Sequence, residues 1–188
     1  TYPSAFTGKE RRIFVDGEIF ADVAKDPHKP FIIRSGDVGI RVLGTKFNFK
    51  SYTNTDCIEL LLVDGAVQFD IDTDTRKQQL RMEPGDLVLY DRVSNDINLS
   101  TFQPEHFKSF ADNRAIHHFF NLRMHDIALD LERLFGTRIV ILDEALAQTR
   151  YFAYFTNNET LDQILSAINS DRKMKISRRD GVVYLSLK

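Results

Sequence analysis

Hydrophobic positions along this chain change their period once, from about two to about 3.6. In Val38-Gly39-Ile40-Arg41-Val42 the apolar residues alternate, as in a half-buried strand. Segments 12–15 and 18–23 flank Asp16-Gly17, and segments 58–63 and 66–71 flank Asp64-Gly65. Both dipeptides predict two-residue hairpin turns, because glycine accepts the positive φ such turns need. Pro84-Gly85 predicts a further turn before a strand over 87–90. Short strands punctuated this way predict an antiparallel or stacked β-domain over residues 1–93.

After a polar stretch the period lengthens. Met124, Ile127, Ala128, Leu131, Leu134 and Phe135 follow the spacing of one helix face, with Asp126, Asp130, Glu132 and Arg133 on the other. Asn121 suits the N-cap and Gly136 the residue just past the helix end. A strand over 139–142 follows. Leu161, Ile164, Leu165 and Ile168 then form a second helical face led by Asn158, and strands follow at Met174-to-Ile176 and Val182–Leu187, the last two split by Asp180-Gly181. Asn121, Met124, Ile127, Ala128 and Leu131 recur as Asn158, Leu161, Ile164, Leu165 and Ile168, each 37 residues later. The expected fold class is therefore mixed, β-rich α+β. A β-domain precedes a small duplicated β-α-β module with one extra strand, over residues 116–188. Residues 94–115, polar with Pro104 inside, are the expected linker, though Phe102, Phe107 and Phe110 suggest that part of it packs down.

Composition narrows the classes. Apolar residues make up 43% of the 188 and charged residues 28%, the balance of a globular chain. A net charge of −2 gives no global pull toward nucleic acid. Charge is uneven, however: residues 56–96 hold ten acids against four bases, and residues 170–188 six bases against two acids. The single Cys57 excludes an internal disulfide and reads as a small core residue. No apolar stretch approaches the roughly 18–20 residues of a membrane helix.

Candidate chemistry is sparse. Asp70-x-Asp72-x-Asp74 opens like a calcium loop, but Thr75 and Arg81 stand where that loop needs glycine and glutamate. It reads as a turn with solvated carboxylates. The histidines are His28, His106, His117, His118 and His125, so most of the β-domain offers no imidazole to a metal. This weighs against a cupin-like metalloenzyme, which Glu83-Pro84-Gly85-Asp86 would otherwise suggest. His117 and His118 point to opposite faces of an expected strand, and His125 lies on the polar helix face. Nothing points to a catalytic triad, a phosphate-binding glycine loop or a cofactor, and the expectation is a protein that catalyses nothing.

Two stretches carry a family resemblance. Gly17-Glu18-Ile19-Phe20-Ala21-Asp22-Val23-Ala24-Lys25-Asp26, with Lys29-Pro30-Phe31-Ile32-Ile33, resembles the signature of the FecR domain. Val42-Leu43-Gly44-Thr45-Lys46-Phe47-Asn48-Phe49, then Leu62-Val63-Asp64-Gly65-Ala66-Val67 and Pro84-Gly85-Asp86, is similar to its central signature. Tyr2-Pro3 and Phe6 also fit, and imply that the first strands of that domain precede Thr1. Phe120-Asn121, Leu131-Glu132-Arg133 and Asn158-x-Thr160-Leu161 resemble the C-terminal module of Bacteroidetes-type FecR proteins, related to the short signalling domain of secretins and TonB-dependent receptors.

The resemblance implies the periplasmic region of a single-pass transmembrane anti-sigma factor. Its partner would be the N-terminal signalling domain of a TonB-dependent outer-membrane transporter. The extracytoplasmic-function sigma factor would be held by a cytoplasmic segment that this chain lacks, together with the membrane helix. Val182–Leu187 is the candidate docking edge, through Val182, Val183, Tyr184, Leu185, Ser186 and Leu187, since a free strand edge can pair with a partner strand. Val183, Leu185 and Leu187 would face the core, with Tyr184 and Ser186 facing away. Lys173, Lys175, Arg178 and Arg179 are candidates for electrostatic steering. The alternatives are a periplasmic glycan- or small-molecule-binding module and, behind it, the metalloenzyme.

Overall fold

In the first unit, strands leave one sheet and enter the other at nearly every second connection. The structure, a computed structural model, describes residues 5–74, 76–101, 117–155 and 158–188. The chain divides into two units, Thr1–Ala111 and Asp112–Lys188. The first holds β1 (Arg11–Phe14), β2 (Gly17–Asp22), β3 (Phe31–Ser35), β4 (Val38–Val42), β5 (Lys46–Ser51), β6 (Cys57–Asp64), β7 (Val67–Asp72), β8 (Lys77–Met82), β9 (Asp86–Asp91) and β10 (Asp96–Thr101). They form two five-stranded sheets, ordered β1-β3-β4-β7-β8 and β10-β9-β6-β5-β2. All pairs are antiparallel except β1 with β3.

One core joins the sheets. Ile33, Ile40, Val42, Val67 and Phe69 come from the first sheet and Phe47, Phe49, Leu60, Leu62 and Val88 from the second, all at most 1% exposed. Burying each such side chain contributes about 1.5–3 kcal/mol, so the alternation seen in the sequence is what closes this sandwich.

The hairpins expected at Asp16-Gly17 and Asp64-Gly65 are not hairpins. β1 and β2 lie in different sheets, and so do β6 and β7. Both dipeptides are corners where the chain crosses the core, and Pro84-Gly85, between β8 and β9, is a third. Positive φ at Gly17 (140°), Gly65 (90°) and Gly85 (99°) serves a corner as well as a hairpin. The true hairpins join β3 to β4, β5 to β6, β7 to β8 and β9 to β10, so they share one end of the sandwich with the Asp16-Gly17 corner, opposite the corners at Gly65 and Gly85. There Arg92 donates to the carbonyls of Tyr52 and Thr55 and to Ser51 Oγ, tying two loops together.

Two further expectations need correction. β10 occupies Asp96–Thr101, inside the stretch expected to be linker, because Ile97 packs against the core and the strand pairs with β9. An edge strand with alternating Ile97 and Leu99 looks polar overall. Cys57 is only half-buried rather than in the core. Tyr2, Pro3, Thr75, Phe102, His106, Phe107 and Phe110 lie outside the described residues.

The second unit contains β11 (His117–Arg123), α1 (Met124–Phe135), β12 (Ile139–Ile141), α2 (Glu144–Gln148), β13 (Arg150–Phe155), α3 (Leu161–Ile168), β14 (Met174–Arg179) and β15 (Val182–Leu187). Its sheets are β11-β13 and β12-β15-β14. The repeat is real in three dimensions. The N-caps Arg123 and Thr160 are 37 apart, as are the first helical residues Met124 and Leu161. The buried pairs Ile127 and Ile164, Ala128 and Leu165, and Leu131 and Ile168 keep that offset.

The caps fall two residues later than the asparagines suggest. Asn121 instead takes φ 55° at an irregularity in β11, and its carbonyl accepts from Arg150 Nη1 at 2.7 Å. Gly136 ends α1 with φ 61°, in the left-handed role foreseen for it. Asp126, expected on the polar face, is buried and pairs with buried Arg123 at 3.1 Å. Leu134, expected in the core, is 43% exposed.

Candidate functional site

β15 is not an edge. It lies between β12 and β14, parallel to the first and antiparallel to the second. The docking edge expected from Val182 to Leu187 is therefore corrected: its backbone groups are already engaged in two ladders. At the centre of the sheet, Val183 and Leu185 of β15 are fully buried. Tyr184 and Ser186 face the other way, as their alternation implies, while Leu187 is 41% exposed at the strand end.

The unpaired edges of this sheet belong to β12 and β14. Lys188 N donates to Lys173 O at 3.0 Å, which sets the phase of the antiparallel ladder. Lys175, Ser177 and Arg179 bond to β15, so Met174, Ile176 and Arg178 turn their N–H and C=O outward. Met174 is not open. Asn169 Nδ2 donates to its carbonyl at 2.7 Å and Asn169 Oδ1 accepts from its amide at 2.8 Å. Ile176 and Arg178 remain as the open stretch.

β12 is guarded in a similar manner. Val183 N donates to Arg138 O and Leu142 N to Leu185 O, so Ile139 and Ile141 turn outward. The Ile139 amide donates to Glu132 Oε1 at 2.5 Å. Glu132 and Asn169 are themselves 37 residues apart, so both repeats cover a sheet edge from the same position. The repeat offset was the signal that could have found them; the helical pattern alone places both on a solvated side.

The four expected steering cations do not act alike. Lys173 pairs with Asp171 at 3.1 Å, and Arg178 with Asp162 at 2.5 Å. Asp171 sits below the ordinary carboxylate range, first because the Lys173 backbone amide donates to it and then through the Lys173 side chain. Lys175 and Arg179 are exposed on one face of β14 with no acid partner among the described residues. They are the pair that a partner would meet.

In the first unit the residues of the family-like stretches hold corners. Gly44, between β4 and β5, leaves no space for a side chain: a Cβ there would lie 2.6 Å from Lys25 Cα. A Cβ on Gly65 would lie 2.7 Å from Gly44 O, so the two corners touch backbone to backbone. Thr45 Oγ1 donates to Ala66 O at 3.0 Å, and Gly85 N to Leu62 O at 2.9 Å. Asp86 closes the third corner by accepting from Glu83 N at 2.8 Å. These contacts are architectural.

The sequence profile of the FecR protein family matches residues 2–68, and the one described as FecR, C-terminal, matches residues 117–185. This chain belongs to the FecR family of anti-sigma factors. The FecR match covers the corners at Gly44 and Gly65, and the C-terminal match covers the whole repeat. Two crystal structures, at 1.65 and 2.50 Å, of a protein from Parabacteroides distasonis ATCC 8503 described as a candidate anti-sigma factor share the fold. Their TM-scores are 0.87 and 0.86 at 22% identity, over 100% of this chain and 85% and 84% of theirs. No curated protein sequence matches this chain. Family membership assigns the protein to sigma-factor regulation. Among the described residues, no three His, Cys, Asp or Glu side chains are grouped to hold a metal ion. No described helix is long and apolar enough to cross a membrane.

Proposed function

We propose that this chain is the periplasmic relay of a membrane-anchored anti-sigma factor and acts by binding proteins, without catalysis. Its second unit receives the N-terminal signalling domain of a TonB-dependent outer-membrane transporter, and the sigma factor is reached through a cytoplasmic segment elsewhere in the protein. The reading rests on family membership together with one observation. The unit matching the FecR C-terminal profile has a strand, β14, open at Ile176 and Arg178 and flanked by unpaired Lys175 and Arg179. Main-chain pairing there would supply the contact, and the two cations would speed encounter with an acidic surface.

A relay contact must release, so its expected affinity is on the order of micromolar, roughly −8 kcal/mol. Calorimetry of the whole chain against the isolated signalling domain of the genomically neighbouring transporter tests it. Arg178→Pro should weaken binding, because it removes an outward donor without breaking a bond to β15. Circular dichroism must show the variant folded. Absence of binding by the wild-type chain would end the relay reading. Unchanged binding by a folded Arg178→Pro would remove β14 from it.

A further inference from the structure

The first unit has a cavity of about 650 Å³ beside its corners. Its lining includes Lys25, Arg41 and Arg81 and no acidic residue, in a chain whose net charge is −2. Arg41, Gln68 and Arg81 stand in one cross-strand row on β4, β7 and β8, through the registers Arg41 with Gln68 and Gln68 with Arg81. Lys25 closes one end. Lys25 and Arg81 have no acid partner among the described residues, and Arg41 has only a loose 3.6 Å contact with Glu10. Uncompensated charge of one sign around a concavity concentrates ligands of the other.

The cavity also reaches a strand edge. β8 ends its sheet and pairs only with β7. Thr73 and Arg76 exchange backbone hydrogen bonds at 2.8 and 3.4 Å, which sets the ladder phase. Lys77, Gln79 and Arg81 therefore fall in the pairs that are not bonded to β7, and turn their N–H and C=O outward. Gln79 and Arg81 also line the cavity. Open main-chain groups and unpaired cations thus meet at one place.

We propose that this edge takes up an extended acidic peptide segment, which pairs with β8 and sets its carboxylates against Arg81, Arg41 and Lys25. Three features favour a peptide over a small anion or a sugar. Arg41 and Arg81 stand two strand spacings apart, about 10 Å between backbones, wider than one carboxylate or phosphate. The outward amides of Gln79 and Arg81 suit a strand, and exposed Leu43 offers an apolar contact beside them. No aromatic side chain lines the cavity to stack on a sugar ring. Cations on an edge strand discourage pairing between copies of this chain; an acidic strand is the partner they do not repel. The cavity walls are set by the backbone contacts of Gly44 and Gly65, so the site is preformed.

This inference concerns the first unit and stands apart from the transporter reading. The test is fluorescence anisotropy of the whole chain with a labelled peptide alternating glutamate and valine over seven residues. Saturable binding is expected, weakened roughly tenfold in a Lys25→Gln, Arg81→Gln double variant by loss of charge-assisted contacts. Binding that weakens in a Lys175→Gln, Arg179→Gln variant and not in the first-unit variant would place the peptide on β14 and overturn the proposal. Methylating alternate backbone nitrogens of the peptide should abolish binding. Equal binding of a lysine-for-glutamate peptide, or no effect of the Lys25 and Arg81 changes, overturns the proposal. So does binding of a galacturonate dimer or inorganic phosphate where the peptide fails.

Discussion

The two units place their unusual backbone at different points of the fold. In the first, the positive-φ glycines Gly17, Gly65 and Gly85 sit at corners between sheets, where Gly65 leans on Gly44, and Gly36 alone turns an open hairpin. In the second, Gly136 and the Asp180-Gly181 turn end a helix and a hairpin, and nothing lies within 4 Å of where a Cβ on Gly136 or Gly181 would be. The first unit therefore depends on close backbone contact between neighbouring corners. The second depends on a repeat, with polar side chains at matching positions finishing its edges. The difference teaches that the family-bearing Leu43-Gly44-Thr45 run is architecture, while β8 and β14 carry open groups that a partner could use.

The comparison breaks first where the second unit buries a charge pair. Arg123 Nε donates to Asp126 Oδ2 at 3.1 Å, both side chains nearly inaccessible, and Asp126 Oδ1 accepts no hydrogen bond from the described residues. Arg123→Met strands a buried carboxylate and should cost roughly 3–5 kcal/mol. Adding Asp126→Leu should return a substantial part, because a matched apolar pair carries no desolvation penalty. Hydrogen exchange followed by mass spectrometry reads each unit separately. Protection should fall in α1 and its neighbours and hold in β3 to β7. A double variant no more stable than the single would show that the pair's charges are not the cause.

The corners come next. Gly65→Ala adds a Cβ at φ 90°, 2.7 Å from Gly44 O and 2.9 Å from Thr45 Oγ1. The strain and the clash together should cost about 1–3 kcal/mol. Gly181→Ala has φ 78° but open space around it, so it should cost less. Urea denaturation of both variants checks the order. Equal losses would mean that conformational strain alone, and not contact between corners, requires Gly65.

How much of this was legible depended on whether the signal was local. The 37-residue repeat was readable because core spacing on a helix is a local pattern, and Ile127 and Ile164 kept it. The Asp-Gly corners were legible as turns but not as crossings. Which sheet β2 joins is decided by its pairing with β5, and no residue near Asp16 records that. The centrality of β15 was misjudged for the same reason, since β12 reaches it from more than 40 positions away. The burial of Asp126 was hidden by residue type: an acid on a helix reads as solvated until a buried cation such as Arg123 is seen beside it. The edge guards Glu132 and Asn169 needed both the repeat and the ladder phase before their roles could be read.

The smallest expected effect tests the repeat against itself. Thr160 accepts from Gln163 N at 3.3 Å while Gln163 Oε1 accepts from Thr160 N at 2.7 Å, a reciprocal capping box at the start of α3. Its counterpart Arg123 makes no side-chain cap to α1. There the Met124 amide donates instead to Thr149 O at 2.8 Å, so a neighbouring strand start takes over part of the capping. Thr160→Ala should cost about 1 kcal/mol, and Thr160→Ser should restore most of it because the hydroxyl returns. The loss should appear as faster amide exchange in the first turn of α3, with α1 unchanged. If Thr160→Ala leaves that exchange as in the wild type, tertiary packing of Leu161 and Ile164 fixes the helix start in both repeats, and the capping difference between them carries no energetic weight.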